Sequence, residues 1–269
     1  MVTGAIGDDS LSASGFGPRA YAGSGRSHRI ISQSYGRRPL LLLSDAEYAE
    51  FLRHNWRSNA VYIEAQKPCD IEMTQRIAID LGIRHPWHKG GVSTLSTDLV
   101  VTLEDTGRYR TEAVSVKHYL SHISDRAHRH RQIEQRYHEL RGATWVEVRS
   151  FGLNSDWARN LFWVFPFLED AVKHGFDHRQ REAHTRFLWG LNRFKAERSV
   201  TDLFARLSGH GVLKPAEAAR SFRELLAVQH LETEMNVPML NARPPTAFVV
   251  RNYDFLNRRR SRLGKAPVN

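Results

Sequence analysis

The chain has 269 residues, 39 of them basic and 29 acidic, for a formal charge of +10 and a pI near 10.0. Apolar residues at 41% and charged residues at 25% are ordinary globular proportions and exclude wholesale disorder. The one cysteine, Cys69, excludes an intramolecular disulfide or a cysteine-based zinc finger, and no apolar run approaches the roughly 18 residues that span a bilayer. Met1 to Ser10 lacks a basic segment followed by an apolar core, so the expectation is a cytoplasmic, bacterial and nucleoid-associated protein with no membrane partner. The basic excess favours a polyanion such as nucleic acid, although a merely soluble basic protein fits the charge equally well.

Residues 1–38 carry seven of the 18 glycines and seven serines, so residues 1–25 are expected to form a flexible arm. Ser44 to Arg57 has helical spacing, with Tyr48, Phe51, Leu52 and Trp56 on one face. Val61-Tyr62-Ile63 follows as a short strand, and Ile71 to Leu81 as a helix stopped by Gly82. Asp98 to Leu103 is a strand, Asp105-Thr106-Gly107 a turn, and Tyr109 to Tyr119 the returning strand. A charged helix runs from about Ser121 to Arg141, and Thr144 to Val148 is a further strand. Strands wrapped by helices place this stretch in the α/β class.

Beyond Phe151 to Asp156 the pattern turns helical. His178 to Glu197, Val200 to Ser208 and Lys214 to His230 are expected helices, the last opened by Pro215. Leu231 to Val237 and Ala247 to Val250 then alternate like two strands. Three helices and a ribbon outline a winged helix. Its candidate recognition helix, Ala216 to Gln229, sets Arg220 and Arg223 against Glu217 and Glu224, which is thin for DNA reading and favours protein docking. Residues 255–269 hold Arg258, Arg259, Arg260, Arg262 and Lys265 with no acid, the composition of a solvated, interaction-prone tail.

One pairing carries chemistry. If the hairpin closes at Thr106-Gly107, residues whose numbers sum to about 213 face each other, and Asp98 lies opposite roughly Ser115. Ala113, Ser115 and Lys117 then share one face of their strand, and Val114 and Val116 the other. Cutting a phosphodiester needs a divalent ion on hard oxygens, a positioned water, and a cation near the scissile phosphate. Asp98 can hold the metal and Lys117 can supply the cation. The same two residues also make sense as a structural ion pair, and spacing alone favours that simpler role. His85, His88, His118 and His122 cluster nearby, but His118 and His122 straddle a strand–helix junction, so a surface or DNA-facing role is preferred to a transition-metal site. The arginines of the 121–141 helix, Arg126, Arg129, Arg131, Arg136 and Arg141, form either a solvated face or a phosphate-contacting one.

Several runs together resemble the TnsA endonuclease subunit of heteromeric transposases. They are Ser24 to Ile30, Leu43-Ser44-Asp45-Ala46-Glu47, Arg76 to Pro86, Ser96-Thr97-Asp98, Val116-Lys117, Ile133 to Tyr137 and Asn160-Leu161-Phe162-Trp163. They fall in order over about residues 24–165. The resemblance implies a restriction-endonuclease-like core of the PD-(D/E)xK type over residues 26–165, and a winged-helix-like domain over residues 166–254. It implies Glu47, Asp98 and Lys117 as catalytic residues. Magnesium, or manganese in its place, would sit on Glu47, Asp98, the Val116 carbonyl and, weakly, Ser115. It further implies cutting at the 5′ ends of a transposon, with transposon-end DNA, a TnsB-type transposase and a TnsC-type ATPase as partners. Without the resemblance, Ser44 and Glu47 read as a capping box that satisfies free N–H groups at a helix start.

Two departures from the family pattern stand out. Ser115 replaces a glutamine two residues before the lysine, and Glu64-Ala65-Gln66 stands where the family's second strand has its acid before glutamine. The rival readings are a stand-alone restriction-like or resolvase-like nuclease, and a degenerate fold kept as a scaffold, with Ser115 as the sign of decay.

Overall fold

The computed structural model describes residues 26–35, 39–88, 90–121, 124–251 and 254–262. The expected arm at 1–25 lies outside them, as do His122 and Lys265. A hairpin of β1 (His28–Ile31) and β2 (Pro39–Leu42) leads into α1 (Asp45–Trp56). Then come β3 (Ala60–Pro68), α2 (Ile71–Asp80), the small hairpin β4 (Trp87–His88) and β5 (Gly91–Val92), and the long hairpin β6 (Ser96–Asp105) and β7 (Arg108–His118). A crossover through α3 (Asp125–Leu140) reaches β8 (Thr144–Ser150). Helices α4 (Asp156–His174), α5 (His178–Arg193), α6 (Val200–Gly209) and α7 (Pro215–Ala227) follow, then β9 (Leu231–Glu232), β10 (Val249–Val250) and α8 (Phe255–Ser261).

The central sheet is mixed, in the order β3-β6-β7-β8. The first two pairings are antiparallel; β7 and β8, joined by a helix, run parallel, as a crossover connection permits. The β6–β7 register is the one expected: Leu99 faces Val114 and Asp105 faces Arg108, each pair summing to 213. Thr106 and Gly107 close the turn with φ of +50° and +80°, the left-handed pair that matches the twist of two antiparallel strands.

Alternation then sorts the sheet's two faces. Leu99, Val101, Leu103, Val114 and Val116 join Phe51 and Leu52 of α1 in the main core. Val100 and Thr102 turn the other way, toward Tyr137 and His138 of α3. That second face holds a smaller cluster of Cys69, Ile77, Ala78, Ile133 and Tyr137. Each buried large side chain of this kind stabilises by about 1.5–3 kcal/mol.

Several elements differ from their sequence outline. β3 is nine residues long, not three, because its polar half, Glu64 to Pro68, pairs with β6 and needs no apolar alternation. α3 begins at Asp125, where the Ser124 side chain caps it. β9 and β10 are two residues each, since 3₁₀ turns at Leu240–Ala242 and Pro245–Ala247 occupy the loop between them.

Helix α4 runs through position 165, where the first domain was expected to end. Its buried Leu161, Val164, Leu168 and Val172 belong to the main core, between α1 and α7. That core extends without a break from Tyr35 to Phe255.

The segment expected to be a solvated basic tail is not one where it is described. Phe255 and Arg259 of α8 are 1% and 3% exposed. Arg259 donates to Asn55 Oδ1 at 2.6 Å, Tyr35 Oη at 3.2 Å and the Arg57 carbonyl at 3.2 Å, and also to the Asn55 carbonyl. A run of arginines does not reveal that one of them meets the bare carbonyls at the end of α1. No helix among the described residues is long and apolar enough to cross a membrane.

Candidate active site

The hairpin β6–β7 builds the first half of the site. Asp98 lies one step beyond the last registered pair, Leu99 and Val114, and its Oδ2 accepts the Val116 N–H at 2.7 Å. Lys117 Nζ approaches the same oxygen at 3.4 Å and donates to the Val116 carbonyl at 3.0 Å. Both side chains are partly open to solvent, 18% for Asp98 and 31% for Lys117. The pair is therefore not sealed from solvent, and the lysine stays reachable. Ser115 is buried, and Val114 and Val116 point into the main core as the alternation requires.

Helix α1 brings the second half. Ser44, in extended conformation, caps the helix by accepting the Glu47 N–H at 3.1 Å. The Glu47 carboxylate turns back to accept the Leu43 N–H at 2.8 Å and the Ser44 hydroxyl at 3.1 Å. Gln66 also donates to it at 2.9 Å, and Gln66 in turn accepts from Ser96 at 3.2 Å, which ties α1 to the strand of Asp98. The helix start is placed from outside by Gly152. At φ +62°, a Cβ on Gly152 would lie 3.1 Å from the Asp45 backbone, so only glycine lets the turn after β8 pack this closely.

Burial, and then the negative charge of Asp98, raise the Glu47 carboxyl to about 7. The two carboxylates therefore feel each other, although they arrive from a helix and a strand roughly fifty positions apart. Asp98 and Lys117 are in contact, and Glu47 lies within electrostatic range of Asp98.

A third acid was missed by the sequence outline. Glu134 of α3 is 7% exposed, and its carboxyl is raised to about 7 by burial and then by Asp98, with Lys117 opposing the shift. Its Oε1 and the Trp145 indole N–H are both buried without a hydrogen-bond partner at normal distance. The only sequence signal for it was its place inside the Ile133 to Tyr137 run.

His85, His88 and His118, the described members of the histidine group, form no metal-ligating cluster. His85 is held by Thr74 at 3.1 Å and by the Pro86 carbonyl at 3.2 Å, while His88 and His118 are exposed. Among the described residues no three His, Cys, Asp or Glu side chains form a ready-made metal cage. The donor chemistry nonetheless suits one hard cation. Glu47 lies in the repulsive field of Asp98, Asp98 Oδ1 accepts no hydrogen bond from the described residues, and the Val116 carbonyl lies beside the Lys117 ammonium.

Taken together, fold and site define an α/β protein with a mixed central sheet and a partly open carboxylate–lysine centre fed by a helix start. No protein-family model matches the chain. Over 149 residues it is 35% identical to the transposon Tn7 transposition protein TnsA of Escherichia coli, an alignment covering 55% of this chain and 54% of that protein. The chain is TnsA-like over that stretch and spans about half the length of the curated relative it matches.

Proposed function

We propose that the protein is a metal-dependent DNA endonuclease of transposition, cutting at the 5′ ends of a mobile element. It would act with a TnsB-type transposase that processes the 3′ ends and a TnsC-type ATPase. The observation that carries this reading is the partly open Asp98–Lys117 pair with Glu47 in the field of Asp98, in a chain whose similarity is to a transposition protein. The order of the central sheet supports a restriction-endonuclease-like core for residues 26–165. Helices α5 to α7 followed by the β9–β10 ribbon support a winged-helix-like unit within residues 166–254.

Glu47, Asp98 and the Val116 carbonyl would hold magnesium, with Ser115 at most a weak ligand. When bound, the ion would supply Lewis acidity and a more acidic water. Lys117 does the rest: its ammonium, partly open to solvent beside Asp98, would orient the attacking water and stabilise charge on the phosphate. The Val116 N–H holds Asp98 in place through the same oxygen that meets the lysine.

A transposition assay with the assembled proteins and magnesium tests this. The Asp98→Ala protein should leave 3′ joining intact while the element stays attached to its donor, so cointegrates replace simple insertions. Lys117→Ala should abolish 5′ cutting, and Ser115→Ala should cost little. Unchanged simple insertions with Asp98→Ala would refute the assignment.

A further inference from the structure

We infer that Tyr119 and Phe151 form a stacking platform for an unstacked DNA base next to the phosphate that is cut. The inference rests on the nuclease reading above. Strands β7 and β8 are parallel, with Lys117 opposite Arg149 and His118 opposite Ser150, so both chains leave the sheet at the same end. Tyr119 comes two residues after Lys117, and Phe151 directly follows β8. The Tyr119 N–H donates to the Ser150 carbonyl at 2.9 Å and pins the two exits together.

The rings stack on one another with centroids 4.0 Å apart and planes 24° apart. They are nonetheless 49% and 51% exposed, and Leu120 beside them is 79% exposed. Apolar surface gathered at one place, on backbone that is tied down, suits a ligand with a flat apolar face.

Two features say which ligand. The first is position. Gly152, the residue after Phe151, lies so near the Asp45 and Ala46 backbone that a Cβ on it would come within 3.1–3.2 Å of them, and Glu47 follows on the same helix turn. The platform is thus bracketed by the chain of Lys117 on one side and the chain of Glu47 on the other.

The second is charge. Arg149, exposed and in register with Lys117, donates to the Tyr119 and Ser121 carbonyls at 3.4 Å, and among the described residues no carboxylate pairs with it. Rings rimmed by a cation match a base attached to a phosphate. Aromatic stacking is tolerant of sequence because every base offers a π face. A base inside a duplex has both faces covered, so the occupant is one displaced at a strand end or beside a distorted cleavage point.

The test uses a short single-stranded oligonucleotide carrying one 2-aminopurine, and the fully paired duplex of the same sequence. The wild-type chain should bind the single strand and quench the probe. Tyr119→Ala and Phe151→Ala should weaken single-strand binding about tenfold, and duplex binding roughly twofold or less. Tyr119→Trp and Phe151→Tyr keep a ring in place and should retain the quench. Alanine variants that bind the single strand like wild type would overturn the platform, as would equal losses on both DNAs or full activity in Phe151→Leu. Full single-strand binding combined with failed assembly on the transposase would assign the surface to a protein and overturn it too. The two readings separate through Asp98→Asn. If that variant still cuts, the nuclease reading fails whatever the stacking data say. If it is dead and Tyr119→Ala behaves as wild type, only the platform fails.

Discussion

The carboxyl of Glu47 accepts hydrogen bonds from the Leu43 N–H, the Ser44 hydroxyl and the Gln66 amide, all of which favour its charged form. Burial and the charge of Asp98 outweigh them, and the group moves from 4.5 to about 7. Between those two values the folded protein keeps a proton that the unfolded chain has released. Stability from this group is therefore complete below about 4.5 and is lost as pH rises through about 7. Glu134 is shifted in the same direction to about 7 and adds to the trend. In metal-free protein, urea unfolding should give Glu47→Gln a less downward pH slope than wild type between about 4.5 and 7, while the depressed His54 and His138 imidazoles oppose the carboxyls in both proteins. A slope unaffected by the substitution would show that Glu47 is not its source. Added magnesium should stabilise more as pH rises, because binding requires the ionised carboxylate.

Helix α8 shows how one element holds others in place. Arg259 caps carbonyls at the end of α1, Arg262 pairs with Glu104 at 2.7 Å and reaches the Ser58 carbonyl at 3.1 Å, and Phe255 is buried in the main core. Removing residues 255–269 should therefore damage the fold, not only the recruitment of a partner. Arg259→Ala is expected to cost about 3 kcal/mol, because Asn55 and Tyr35 lose a buried charged donor. Urea titration of the variant against wild type checks this, and a midpoint shift close to zero would mean the helix is a passive tail. The opposite end of α1 is held by Gly152, so a single helix carries Glu47 between two long-range anchors.

Across the whole molecule the charge of +10 is the property that acts at long range. Neutralising DNA phosphates releases condensed counterions, so the isolated chain should bind duplex DNA weakly, without sequence preference and with steep salt dependence. If about six phosphates are covered, the slope of log affinity against log salt should be near −5. Fluorescence anisotropy at several salt concentrations measures it. A tight, sequence-selective footprint on a transposon end by this chain alone would contradict the expectation.

The division between sequence and tertiary structure follows the range of the interactions. Asp98, Lys117 and their facing register were legible from sequence because a tight turn and a period of two set a hairpin locally. The buried faces of α1 and β7 were legible for the same reason: their apolar spacing repeats within one element. The polar half of β3 was not, because its ladder is backbone to backbone and leaves no apolar trace. Nor could periodicity show that Glu47 enters the field of Asp98, that Glu134 approaches from behind, that Arg259 is buried, or that Tyr119 stacks on Phe151. Those contacts join segments from about 30 to more than 200 positions apart, and only packing around a common core brings them together.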